Sequence, residues 1–375
     1  MTSLRGRVVF LSAFQDYRTK KRASVQQVAD GARNLGYEVW FVSTRYSRMS
    51  RRTGDSRLSL DHTANSIEEV NGINCFLWKT LVHPFASRSK ILNALMNKLF
   101  TLYAAWPNAQ FDEILRSADY VVIESSVAAI FLPRIRRLAP KSRIIYYATD
   151  RLDTVGAHPA VQRRLIANEA LIHHASLRSA RMAKDFSWLG NRLYLAEFGV
   201  HHEDFRDIGP SPYINGRPAA VSVGSMLFDR RFFETIPSLF PNVDFHVIGC
   251  GEYFSGSDNL YVHDEMTFKD TLPFVKHAAV GIAPYRPAPG VEYLADSSLK
   301  LAQYELFGLP AVCPHFAVGE VTSRAGYAPG DMESMREAMG QALSTAGSVA
   351  PRQFKTWEDV AERILNPELF DANRL

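Results

Sequence analysis

Short apolar runs alternate with longer amphipathic segments along most of the chain, the pattern of βα units built around a parallel sheet. RVVFLSAF predicts a buried first strand, SVQQVADGARNLG a helix closed by Gly36, and YEVWFVST a second strand. DYVVIESS, a helix over FLPRIRRLAP and the strand SRIIYYATD follow, then a helix over HPAVQRRLIANEALIHHA and the run LYLAEFGV. At FGVHHEDFRDIGPSPYINGRP the pattern breaks into Gly, Pro, Asn and charge, which predicts a linker. A second series then begins with AAVSVGS and continues through VDFHVIGCGE, LYVHDE, a helix over TFKDTLPFVKHA and the strand AVGIAPY. A helix over DSSLKLAQYELFGL and the strand PAVCP complete it. TWEDVAERIL predicts a terminal helix capped by Thr356, with Glu358 and Asp359 in its first turn.

A chain of 375 residues exceeds one ordinary core, so two α/β domains are expected, 1–200 and 201–355, with 356–375 as the terminal helix. Three separated cysteines, with no Cys-x-x-Cys, point to a reducing compartment and no structural zinc. No signal peptide or run of membrane-spanning length is read. The net charge of +4 conceals an asymmetry: residues 1–200 carry 29 Lys+Arg against 16 Asp+Glu, leaving 14 against 23 for the rest. A basic half interspersed with aromatics suits nucleic acid, an anionic membrane surface or a phosphate-bearing lipid.

Candidate chemistry lies where strands end and helices begin, because helix N-termini offer unpaired N–H groups. In the second series Gly224 and Ser225 end one strand, with Arg230 and Arg231 close behind, and Gly249 and Gly251 end another. After Tyr285 a Pro/Gly-rich loop leads to a helix whose head, Ser297, Ser298, Leu299 and Lys300, gathers hydroxyls, N–H groups and an ammonium suited to a diphosphate. Taken singly, each is also explained as a cap, a turn or a solvated charge. Neither G-x-G-x-x-G nor G-x-x-x-x-G-K-[ST] occurs, which argues against a dinucleotide fingerprint and a P-loop. No Asp-x-Asp occurs, so no metal cofactor is expected and phosphate charge falls to N–H groups, Lys and Arg.

SSLKLAQYELFGLPAV resembles the nucleotide-binding helix of GT-B glycosyltransferases, FGVHHEDF their interdomain linker, and TWEDVAERIL their returning terminal helix. The resemblance implies two Rossmann-like domains facing a central cleft, with a C-terminal helix crossing back to the N-terminal one. Gln303 stands where many retaining members carry a ribose-binding glutamate, and Ala295 where its carboxylate partner would be. Glu305, two places later, faces elsewhere at helical spacing. The whole chain, including LSAFQDYRTKKRAS and YYATDRLDTVGAHP, is similar to the membrane-associated glucuronosyltransferases of xanthan assembly. That implies inverting transfer of glucuronate from UDP-glucuronate to mannose on a polyprenyl-diphosphate oligosaccharide, by a peripheral protein on the cytoplasmic face of the bacterial inner membrane.

Inversion requires a base for the acceptor hydroxyl. Asp150, closing RIIYYATD, is the first choice and the one the resemblance supports; Asp153, Glu124 and Asp16 are alternatives. Around the donor, Met226 and Tyr285 are candidates to pack on the nucleotide, Glu265 and Gln303 to bind base or ribose, and Arg230, Arg231, Arg286 or Lys300 to meet the glucuronate carboxylate. Residues 88–107 place Ile91, Leu92, Leu95, Met96, Leu99, Leu102 and Tyr103 on one helical face, suited to a membrane interface or a core. A nucleotide-sugar epimerase and a nucleic-acid-binding protein are the rival classes. No motif supports the second, so no nucleic-acid partner is expected.

Overall fold

Val- and Ile-rich runs in both halves become the central strands of two parallel sheets, where burial on both faces favours such continuous apolar stretches. The structure, a computed structural model, describes residues 4–375 except 21, 88, 255–256, 371 and 373, and leaves the side chain of residue 90 aside. Contacts divide the chain into two units, residues 1–199 with 355–375 and residues 200–354.

The first unit contains β1 (Arg7–Ser12), α1 (Ser24–Asn34), β2 (Glu38–Ser47), β3 (Ile67–Val70), β4 (Ile73–Thr80), α2 (Lys90–Ala105) and α3 (Ala109–Arg116). It continues through β5 (Tyr120–Glu124), α4 (Leu132–Leu138), β6 (Arg143–Ala148), α5 (Pro159–Ala167), β7 (His174–Leu177) and β8 (Leu193–Leu195). The sheet order is β3-β4-β2-β1-β5-β6-β7-β8, with β3 antiparallel at its edge. The helix expected over HPAVQRRLIANEALIHHA stops at Ala167. Its last residues instead form β7, because His174 pairs in register with Ile145 of β6 and its Nε2 lies 2.8 Å from the Ile364 carbonyl.

After a two-residue strand, β9 (Gly199–Val200), the second unit runs through β10 (Ala219–Val223), α6 (Arg231–Leu239), β11 (Asp244–Ile248), β12 (Leu260–His263), α7 (Phe268–Lys276) and β13 (Val280–Ile282). It ends with α8 (Leu294–Ser297), α9 (Leu299–Leu306), β14 (Ala311–Pro314), β15 (Arg324–Tyr327) and α10 (Met332–Ser344), in the all-parallel order β12-β11-β10-β13-β14-β15. The single helix expected from Asp296 is broken: Ser298 adopts an extended ψ of 113° between α8 and α9, and its hydroxyl caps the second helix by accepting from Leu301 N–H at 3.1 Å.

The terminal helix α11 (Trp357–Leu365) returns to the first unit with the cap that its sequence predicts, Thr356 and Asp359 closing a capping box. Trp357, Val360, Ala361 and Ile364 share one core with Val25, Val28, Ala29 and Ala32 of α1. Gly31 permits this approach, since a Cβ there would lie 2.3 Å from the Trp357 carbonyl oxygen.

Candidate active site

In open α/β sheets ligands bind beyond the carboxyl ends of the strands, where the strand order reverses. In the second unit the reversal lies between β10 and β13. Tyr304 of α9 reaches across it, its buried hydroxyl 3.0 Å from the carbonyls of both Val221 and Ile282. Gly281 makes room, because a Cβ there would meet the Tyr304 ring at 2.3 Å. The clamp seats the head of α9 at the strand ends. Tyr285 is buried, not exposed for stacking, and its hydroxyl lies 2.5 Å from Ser298 Oγ. Lys300 sits over the Tyr285 ring, 5.4 Å from its centroid, with Nζ 3.4 Å from the buried Ser222 hydroxyl.

No carboxylate among the described residues pairs with Lys300. Desolvation pulls its pKa down to about 7. Beside it, Gly224 turns at φ 88° and donates its N–H to Ile248 O at 2.8 Å, leading to exposed Ser225 and Met226. Arg286 N–H donates to Leu227 O at 2.7 Å, tying that loop to the end of the next strand. Gly249, at φ 63°, packs against Glu265, which is exposed. Ser297 ends α8, and Leu299 and Gln303 are half-buried on α9. Arg230 is engaged elsewhere, with Glu234 at 2.8 Å and Glu252 at 3.4 Å, and Arg231 forks onto Asp229. Glu305 is buried beneath the helix, accepting from Arg324 and, at 2.8 Å, from Arg352.

In the first unit the order reverses between β1 and β5. Ser12 and Glu124, which end these strands, are hydrogen-bonded there. Glu124 is buried, and desolvation raises its pKa to about 7 against the opposing effect of Ser12, with Asp150 adding to the rise. Asp150 follows β6, half-buried, its N–H donating at 3.1 Å to Ser125 Oγ. Two further candidate carboxylates are held by arginines. Asp16 is buried against Arg18 at 2.8 Å and Ser43 at 2.7 Å, and Asp153 forks with Arg151 at 3.0 and 2.9 Å. Sequence reasoning did not single out Ser12, Ser125 or Ser222; their only signal is a hydroxyl at or near a strand end.

Against known proteins, the family described as "Glucuronosyltransferase GumK, N-terminal domain" matches residues 10–178. A UDP-glucuronate:glycolipid 2-β-glucuronosyltransferase of Xanthomonas campestris pv. campestris is 40% identical over 362 residues, 96% of this chain and 90% of that protein. The chain belongs to the GumK glucuronosyltransferase family. Its fold is GT-B. An α,α-trehalose-phosphate synthase (UDP-forming) from Burkholderia xenovorans, in complex with glucose-6-phosphate, superposes with TM-score 0.61 at 13% identity, over 98% of this chain and 97% of that one. The E. coli trehalose-6-phosphate protein bound with UDP-2-fluoro glucose gives 0.65 at 12%, over 97% and 95%. At such identities the likeness is one of fold. This GumK-family chain shares 40% identity with the Xanthomonas enzyme across both units, so the family relation does not rest on the first unit alone.

Proposed function

We propose that this chain transfers glucuronate from UDP-glucuronate, with inversion and without a metal cofactor, to a mannose of a polyprenyl-diphosphate-linked oligosaccharide in xanthan-type exopolysaccharide assembly. The observation that carries the reading is Lys300: a half-buried, desolvated ammonium with no carboxylate partner among the described residues, at the reversal of the second sheet. A cation so placed lacks an anion, and the donor diphosphate supplies one. Around it, Gly224, Ser225 and the head of α9 offer N–H groups and hydroxyls to the phosphates. Met226, Gly249, Glu265 and Gln303 surround the nucleoside. Arg286 is exposed, without a carboxylate partner among the described residues, and on a segment tied to the Gly224 loop, so it is assigned to the glucuronate carboxylate. Arg230, answered by two glutamates, is withdrawn from that role.

Asp150 takes the proton of the acceptor hydroxyl as its oxygen attacks the anomeric carbon and UDP departs, its negative charge met by Lys300. Membrane association is assigned to α2. Met96, Phe100 and Tyr103 face the core, while Ile91 (87% exposed), Leu95 (58%) and Leu102 (62%) face outward. The helix is therefore apolar on two sides, more than a core helix needs. No helix among the described residues is long and apolar enough to cross a membrane.

The test is incubation of purified protein with a panel of UDP-sugars and lipid-linked acceptor, following which sugar enters the lipid. Glucuronate alone is expected, and Asp150→Asn should lower turnover roughly 10²–10⁴-fold while donor binding persists. Transfer by Asp150→Asn at the wild-type rate would remove Asp150 from the mechanism. Donor consumption without any acceptor would favour an epimerase.

A further inference from the structure

At the end of β2 the backbone leaves its strand path. Arg45 has φ 55°, and the pairing with β4 slips between Ser43 and Tyr46. Left-handed backbone at a non-glycine residue is strained and persists only where its surroundings hold it. Here Tyr103 of α2 does so, its hydroxyl accepting the Arg45 N–H at 2.7 Å. The kink lays the guanidinium over Phe14, 5.0 Å from the ring centroid, with Nε donating to Pro84 O at 3.3 Å. The two terminal nitrogens have no acceptor among the described residues.

The neighbouring carboxylate does not answer this charge. Asp55 is forked onto Arg57 at 2.9 and 2.8 Å, and the other Arg57 donors go to the carbonyls of Thr44 at 2.8 Å and Arg45 at 3.3 Å. Arg57 thus brings a second positive charge close to the first. Burial and then Arg57 hold the Arg45 pKa below its ordinary value. His83 is buried nearby with Nδ1 unpartnered, and burial, then Arg45 and Arg57, keep it neutral with a pKa of about 4.

We propose that the terminal guanidinium nitrogens of Arg45 bind the diphosphate of the lipid-linked acceptor, in a subsite on the β2 side of the first sheet. This rests on the acceptor class proposed above and locates its charged group. A planar guanidinium fork matches phosphate oxygens, and a kinked, cross-braced backbone fixes its direction. Between β2 and β6 lie β1 and β5, so Arg45 and Asp150 stand about three strand spacings apart along one sheet edge, roughly 14 Å. A short oligosaccharide covers that span with its reducing end at Arg45 and its reacting hydroxyl at Asp150. Leu81 (62% exposed) and Val82, immediately before His83, offer the lipid tail an apolar surface on the same segment.

The full-length protein is titrated calorimetrically with farnesyl diphosphate in detergent, as wild type, Arg45→Gln and Arg45→Lys, each checked for an unchanged melting temperature. Arg45→Gln is expected to weaken binding at least ten-fold, with Arg45→Lys intermediate. The ratio of kcat/KM for the polyprenyl-diphosphate oligosaccharide to that for the same oligosaccharide as an alkyl glycoside should fall at least ten-fold in Arg45→Gln. Unaltered farnesyl diphosphate affinity, or equal losses on both acceptors, would overturn the subsite. Release of Arg45→Gln from phosphatidylglycerol vesicles, with farnesyl diphosphate binding intact, would assign Arg45 to bilayer headgroups and likewise overturn it. Failure of wild type to glucuronylate either acceptor counts against the proposed function, and the farnesyl diphosphate titration then judges the subsite by itself.

Discussion

If Lys300 awaits a diphosphate, donor affinity must depend on pH with a sign and size set by its burial. In the ligand-free protein desolvation holds its pKa at about 7. A diphosphate beside the ammonium favours the charged form and returns the pKa toward its ordinary ~10.4. Binding above pH 7 is therefore accompanied by proton uptake. For a single group shifting between these values, affinity falls about 50-fold from pH 7 to pH 9. UDP-glucuronate is the appropriate ligand, because neither its diphosphate nor its carboxylate titrates in that window. Calorimetry in buffers of differing ionisation enthalpy reads both the affinity and the proton. Lys300→Met should abolish the slope and weaken binding at pH 7 by roughly 10- to 1000-fold, the range for a lost charged contact in a desolvated site. The ligand-free protein supplies an independent check. The folded-state pKa is depressed, so the unfolded chain holds the extra proton between about pH 7 and 10, and stability rises with pH there. Relative to Lys300→Met, wild type should gain about 2–3 kcal/mol between pH 6 and 9. A flat affinity from pH 7 to 9, or the same slope in Lys300→Met, would refute the reasoning.

Three further outcomes follow from individual contacts. The Glu124 pKa is raised by burial, so its protonated form is favoured by folding; that contribution is complete below about pH 4.3 and is lost as pH rises through 7. Glu124→Gln should match wild type in urea denaturation at pH 4 and exceed it by about 3 kcal/mol at pH 8; equal stability at both values would show that the carboxyl is not desolvated. Gly281→Ala drives a methyl to 2.3 Å from the Tyr304 ring and should cost about 3 kcal/mol, a fall in Tm of roughly 10 °C. An unshifted melting curve would mean that the Tyr304 clamp is loose. The paired change Ile91→Asp and Leu95→Asp should reduce sedimentation with anionic vesicles at least ten-fold, and undiminished binding would exclude α2 as the contact.

Much of the architecture was legible because it depends on local rules. Continuous apolar runs between amphipathic segments announced parallel strands, and Thr356 with Asp359 announced the terminal helix down to its cap. The strands β3, β4 and β15 escaped notice, as did β7, which local pattern extended as helix. Their state depends on a neighbour: His174 pairs with Ile145 and Ile73 with Val39. The head of α9 shows the same division. Its composition predicts a helix head that gathers hydroxyls and a cation, whereas the break at Ser298 and the burial of Tyr285 arise from packing across the β10–β13 reversal.

The sequence alone determined which residue types were available: a basic first half, hydroxyls and a lysine at one helix head, and carboxylates after the strands of the other sheet. Only the tertiary structure decided which of them remain available to a ligand. Asp16, Asp153, Arg230 and Arg231 look as functional in sequence as Lys300, but opposite charges folded against them satisfy them internally. Lys300 and Arg45 carry charge that no carboxylate among the described residues pairs with. Charge is a property of a residue, whereas its neutralisation is a property of the neighbours that folding supplies, and those come from distant parts of the chain.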